Sequence, residues 1–210
     1  NRGFISKDFF AIYSVSPIKK TKGHRLFTRN ITDLLRSEII YDYDSEYFVL
    51  SENYSGITPE LSYHKSYNRI CKIIENDFIS WAAKINLIAF NSAISYPNIA
   101  EFSHFQWNIT CPSYTQPIYD CLNGKPGFLV ADVLFKPQVS VSDITYFIGK
   151  INIIRHFKNI PNFLPVLLVN NVSLEALKLL KEQKIFVGIL SNLYDSNYVS
   201  VLSDIYNVFQ

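Results

Sequence analysis

The chain has 210 residues, 48% of them hydrophobic and 18% charged, a balance that excludes a disordered protein and suits one domain or two small ones. A net charge of +2 excludes a general polycation. No apolar run approaches the ~18 residues that a membrane-spanning helix needs, so no membrane partner is expected.

Charge is unevenly spread. Residues 1–36 carry eight Lys and Arg against Asp8 and Asp33, a net +6, whereas residues 37–60 carry six carboxylates and no base. Such asymmetry marks either a surface that meets a polyanion or two segments that neutralise each other. Cys71, Cys111 and Cys121 show no metal-ligand spacing. An odd count with no recognisable leader is the pattern of a reduced, intracellular (cytoplasmic) chain. Met is absent even at position 1, as expected of a sequence written without its initiator.

In chain order, residues 4–14 have helical apolar spacing, with Ser6 or Asp8 as a cap. A basic turn follows at 16–23. Leu26, Phe27, Ile31, Leu34 and Leu35 predict a helix over 24–37, with Asn30 or Thr32 as caps. Residues 39–50 read as two short strands around an acidic turn. The phrase DLLRSEIIYDYDSEYFVLSEN (33–53) resembles the last helix and wing of a winged-helix domain, over about residues 8–53. That resemblance implies a first unit, 1–57, that grips phosphates through Lys19, Lys20, Lys22, Arg25 and Arg29. The wing departs from the family's pattern, because Asp42, Asp44 and Glu46 repel phosphate.

The second unit, 58–210, opens with a helix at Thr58-Pro59-Glu60 that runs to about 75 and then continues or breaks at Asn76-Asp77. A turn is expected at Tyr96-Pro97-Asn98. Strands are expected at 102–110, ended by Cys111-Pro112, and at 127–135, followed by a helix over 142–158 capped by Ser142. A continuous apolar strand at 163–169, a helix from Ser173 to Gln183 and a strand at 185–190 complete the order α–β–β–α–β–α–β. This predicts an α/β (α+β) fold, a mixed central sheet flanked by helices.

With the phrase VSLEALKLLKEQKIFVGIL (172–190) after a strand ending in VNN, the chain resembles the PD-(D/E)XK, or restriction-endonuclease-like, superfamily over about residues 60–190. The family's chemistry uses an acid at one strand's end and (Asp/Glu)-x-Lys on the next. The carboxylates hold a divalent metal that activates water at a phosphodiester. Laid on HFQWNITCP (104–112) and FLVADVLFK (128–136), the motif puts Asn108 in the first acid's place, Asp132 in the second's and Leu134 where Lys belongs. Three substitutes are available: Lys136 further along the chain, Lys150 from the next helix, and Asp120 or Glu75 as an extra ligand for Mg2+. The plainer reading makes Asp132 a strand acid bonded to backbone N–H groups or to a Lys.

Three functions follow. The first is nucleic-acid binding, DNA more than RNA, on a nuclease-like fold whose site has degraded. The second is a Mg2+-dependent endonuclease or resolvase with a rearranged site. The third is an assembly module, a homodimer included, using the many aromatic residues as contact surface.

Overall fold

The computed structural model describes residues 3–55, 60–95, 98 and 100–208. Thr58, Pro59, Tyr96 and Pro97, on which the expected helix start and turn fall, lie outside the described residues. No helix among the described residues is long and apolar enough to cross a membrane.

The central sheet is mixed and has the order β10-β9-β8-β7-β4. Its middle strand is β8 (Gly127–Leu134), antiparallel to β7 (Ile109–Ser113) and parallel to β9 (Phe163–Val169). β10 (Phe186–Ile189) continues the parallel half, and β4 (Ile94–Ser95) pairs antiparallel with β7 at the other edge. Alternation along β8 divides the core into two layers. Leu129, Ala131 and Val133 pack against Ile70, Cys71 and Ile74 of α4 (Leu61–Lys84), where Leu202 of α8 (Ser196–Val208) also sits. Val130 and Leu134 pack on the other side, against Phe147 and Ile151 of α5 (Val141–Arg155) and Ala176 and Leu180 of α6 (Leu174–Glu182).

Several expectations need correction. The helix from residue 61 does not break at Asn76-Asp77 but runs to Lys84. It ends in a Schellman turn, with Leu87 N–H on Ala82 O and Asn86 left-handed at φ 58°. α5 is capped by Ser140, not Ser142: Asp143 Oδ2 accepts from both the Ser140 N–H (2.9 Å) and its hydroxyl (2.7 Å). The single strand expected at 102–110 is a short hairpin, β5 (Glu101–Phe102) and β6 (Phe105–Gln106), followed separately by β7. Ser103 and His104 both take positive φ (50° and 70°), the geometry of a two-residue hairpin turn built without glycine. Pro112 lies inside β7 instead of ending it.

Ahead of the core, the first residues form β1 (Phe4–Ser6), α1 (Lys7–Ile12), α2 (Phe27–Arg36), β2 (Ile40–Asp42) and β3 (Tyr47–Leu50), with α3 (Glu52–Ser55) after them. The helix expected over 4–14 is thus a strand and a short helix, joined where the Ser6 hydroxyl caps α1 through Phe9 N–H. α2 starts after Leu26, so Asn30 and Thr32 lie inside it and cap nothing. The small antiparallel sheet has the order β1-β3-β2. A division at residue 57 separates the two sheets but not the cores. Phe9 of α1 is fully buried in the cluster that holds Ile70 and Ile74, and Ser6 N–H donates to His64 Nε2 at 2.8 Å.

One glycine is fixed by close approach. A methyl group at Gly127 would meet the Ile118 side chain and carbonyl, and the Asn162 carbonyl oxygen at 2.7 Å. Gly127→Ala is therefore expected to lower stability by about 1–3 kcal/mol through overpacking against backbone. Gly188→Ala, which meets only the ends of Leu168 and Leu193 side chains, is expected to cost less. Urea unfolding of both variants checks the order.

Candidate functional site

Asp132 stands one pleat before the end of β8, and alternation turns it toward α5, the layer from which Lys150 projects. Both residues are fully buried, and Lys150 Nζ donates to Asp132 Oδ2 at 2.8 Å. The ammonium's two other protons go to backbone carbonyls, Ile12 at the end of α1 (2.8 Å) and Gln106 at the end of β6 (2.9 Å). Its remaining face lies 3.8 Å from the centre of the Trp107 ring, with the Tyr146 ring centre at 5.5 Å. All three ammonium donors are spent.

Asn108 extends the network to the opposite layer. Its backbone N–H donates to Asp132 Oδ1 (3.0 Å), its side-chain oxygen accepts from Val133 N–H (3.0 Å), and its Nδ2 donates to Glu75 Oε1 (2.8 Å) on α4. Glu75 is fully buried, and its other oxygen lies 3.4 Å from Lys72 Nζ, which also donates to Ser95 Oγ at 2.9 Å. Above this, at the end of α1, Tyr13 Oη donates to Val133 O at 2.8 Å and lies 3.1 Å from Tyr67 Oη. α1 and its last turn close the site from outside.

The electrostatics follow from that burial. Loss of water pushes the Asp132 carboxyl up and the Lys150 ammonium down, and each charge opposes the other's shift. Desolvation raises Glu75 to about 7, against the pull of the Asn108 hydrogen bond and of Lys72. Burial also raises Tyr13, Tyr67 and Cys71. Lys150 paired with Asp132 is thus a saturated buried ion pair. Removing one partner strands the other, so the pair acts as a staple between α1, β8 and α5.

Of the sequence-derived candidates, Asp132, Lys150, Asn108 and Glu75 are brought together, and Lys136 and Asp120 are not. Lys136 lies beyond the end of β8, held 2.5 Å from Asp143 at the start of α5. Asp120 accepts from Leu122 N–H, Asn123 N–H and Asn123 Nδ2 within its own exposed turn. The four residues that meet do not fit Mg2+ as arranged. Both Asp132 oxygens and the Asn108 oxygen already hold protein donors, and the two carboxylates rise from opposite layers of the sheet. Among the described residues no group of three or more His, Cys, Asp or Glu could hold a metal ion. Sequence reading missed Trp107, Tyr13, Tyr146 and the Ile12 carbonyl. Only the position of Trp107, next to Asn108, offered a signal.

The basic residues sit apart, on and before α2. Lys20, Lys22, Arg25, Arg29 and Arg36 are exposed. Lys19 is bound to Glu101 at 2.5 Å, and Arg25 is paired with Asp33.

No protein family, curated protein or solved structure matches the chain.

Proposed function

We propose that the chain is a nucleic-acid-binding protein, acting on DNA more than RNA, built on a restriction-endonuclease-like core that does not cleave. The observation that carries the binding is the outer side of α2. Arg29, Thr32 and Arg36 are all exposed and follow the helical repeat, so they form one face of α2, and Lys20 and Lys22 are exposed in the segment before it. Among the described residues neither Arg29 nor Arg36 has a carboxylate partner. The β1-α1-α2-β2-β3 order, with β3 between β1 and β2, supports a winged-helix-like unit with α2 as its presented helix. The acidic hairpin weighs less against this than its sequence suggests. Asp42 is paired with Lys7 at 2.8 Å, and Asp44 folds back on the amides of Glu46 and Tyr47.

Silence of the core is supported by the spent donors and acceptors of the Glu75–Asn108–Asp132–Lys150 network. The opposing reading, a Mg2+-dependent endonuclease with a rearranged site, is favoured by the same four residues having converged at all. Cleavage of plasmid or branched DNA in Mg2+ or Mn2+ that disappears in Asp132→Ala would establish it in place of the first.

Binding is tested by duplex anisotropy across a salt series. Arg29→Ala/Arg36→Ala is expected to weaken binding and to reduce the slope of log K against log salt by about 2, since each lost phosphate contact removes about 0.9. An unchanged slope would rule out α2 as the contact.

A further inference from the structure

We infer that the crevice at the carboxyl ends of β8 and β9 binds a nucleotide, its base stacked on the tyrosine rings that line it. This cavity of about 550 Å3 lies where the parallel half of the sheet ends, beyond Leu134 of β8 and beside Asn170 just after β9. In open α/β sheets that end of the strands is where ligands settle, and the volume falls in the usual range for a small-molecule site.

The lining chemistry selects the ligand. Tyr63 and Tyr67 of α4, Tyr206 of α8 and Tyr13 supply aromatic surface from three elements, and Phe135 adds a fifth ring. Tyr63 and Tyr206 meet edge-on at 5.3 Å, and Phe135 meets Tyr206 at 6.2 Å, so the rings enclose the cavity at differing angles and do not collapse into one stack. The floor is rigid, because the Tyr13 and Tyr67 hydroxyls are tied to each other and to Val133 O. Such walls suit a planar π-system, and base–aromatic stacking accepts any base. Asn170, Ser203 and Asn207 bring side-chain donors and acceptors able to match the edge of a base. Among the described residues that line it there is one base, Lys136, which is shared with Asp143 of α5 at 2.5 Å, and no carboxylate. A cationic ligand finds no counter-charge in the lining, and a phosphate reaches Lys136 only in competition with Asp143. A planar ring with hydrogen-bonding edges and an attached phosphate satisfies all of these.

The nucleotide could be free or part of a single strand, and two binding experiments separate these sources. Calorimetry with the four deoxynucleoside monophosphates and anisotropy with a fluorescein-labelled ten-base oligonucleotide are run on the native chain. Binding of monophosphates indicates a free nucleotide, and binding of the oligonucleotide alone indicates a strand where it persists in Arg29→Ala/Arg36→Ala and weakens in Tyr206→Ala; oligonucleotide binding lost with the two arginines belongs to α2 and counts against the pocket. Tyr206→Ala is expected to weaken binding about 5- to 150-fold, the equivalent of one lost stacking contact. Tyr206→Phe is expected to retain it. Asn170→Asp, which adds a negative charge at the rim without touching the core, is expected to weaken it and keeps the test valid if Tyr206→Ala unfolds. No binding of either probe to the native chain would overturn the site, as would native affinity in both weakened variants. The pocket does not rest on α2. Arg29→Ala/Arg36→Ala is expected to leave monophosphate binding unchanged, so the two readings fail separately.

Discussion

Lys150→Met is expected to destabilise the protein by about 3–5 kcal/mol in urea unfolding, because it leaves the Asp132 carboxylate buried and without its cation. The loss would exceed that of a typical core truncation of similar volume, since the Ile12 and Gln106 carbonyls also lose their donor. The double variant Lys150→Met/Asp132→Leu is expected to recover much of that loss. It removes both charges and leaves an apolar pair of similar size between α5 and β8. A small effect of the single change, or no recovery in the double, would mean that the ion pair is not the staple the geometry describes. The same experiment bears on function: a lysine kept for reaction would be dispensable for folding, and this one should not be.

Two buried groups, Glu75 and His64, are expected to make opposing contributions to stability between about pH 4.5 and 6.5 that largely offset each other. Glu75 rises from its ordinary 4.5 to about 7 when folded. Stability from its bound proton is present in full below about 4.5 and lost as pH rises through 7. His64 falls from 6.5 to about 4 because it is buried, its Nε2 accepting from Ser6 N–H. Stability from the neutral ring is present in full above 6.5 and lost as pH falls through 4. Each shift corresponds to about 3 kcal/mol at most. Glu75→Gln should therefore lose stability on acidification from pH 7 to 5 and exceed the native protein at pH 8. His64→Gln should gain stability over the same acidification. Other carboxylates titrate alike in all three proteins, so chemical denaturation at pH 5–8 isolates these two. If both variants keep the native profile, the assignment of the two groups is wrong.

Much of the core was legible because its elements carry apolar runs or one apolar face, although β10, read from sequence as buried, leaves Phe186 exposed at the sheet edge. β9 and β10 show continuous apolar runs, β8 a run broken only by Asp132, and α5 and α6 the helical repeat. What escaped was local backbone. Glu38, Asn86 and Lys184 close α2, α4 and α6 in left-handed conformations usually left to glycine, so a chain with seven glycines hides its helix ends. The hairpin at Ser103-His104 was hidden in the same way. In the candidate site, residue types pointed to Asp132, Asn108, Glu75 and Lys150, but not to which would reach. Lys136 shares a parity with Asp132 yet lies past the strand's end, where its neighbour is Asp143. Nor could spacing show that a carbonyl of α1 would fill the third direction around Lys150, since that contact spans 138 residues.

That long span has a consequence for how the protein is made. Synthesis proceeds from the amino end, so α1 emerges well before the lysine that receives its last carbonyl. Until β7, β8 and β9 have joined α4, Phe9 has no completed cleft to enter, and Tyr13 also waits for Tyr146 of α5. Although α1 is made before α5, it is thus among the last of these elements to dock, and closing so large a loop slows that step. In pulse-labelled hydrogen exchange during refolding, amides of β8 and β9 should be protected before those of α1.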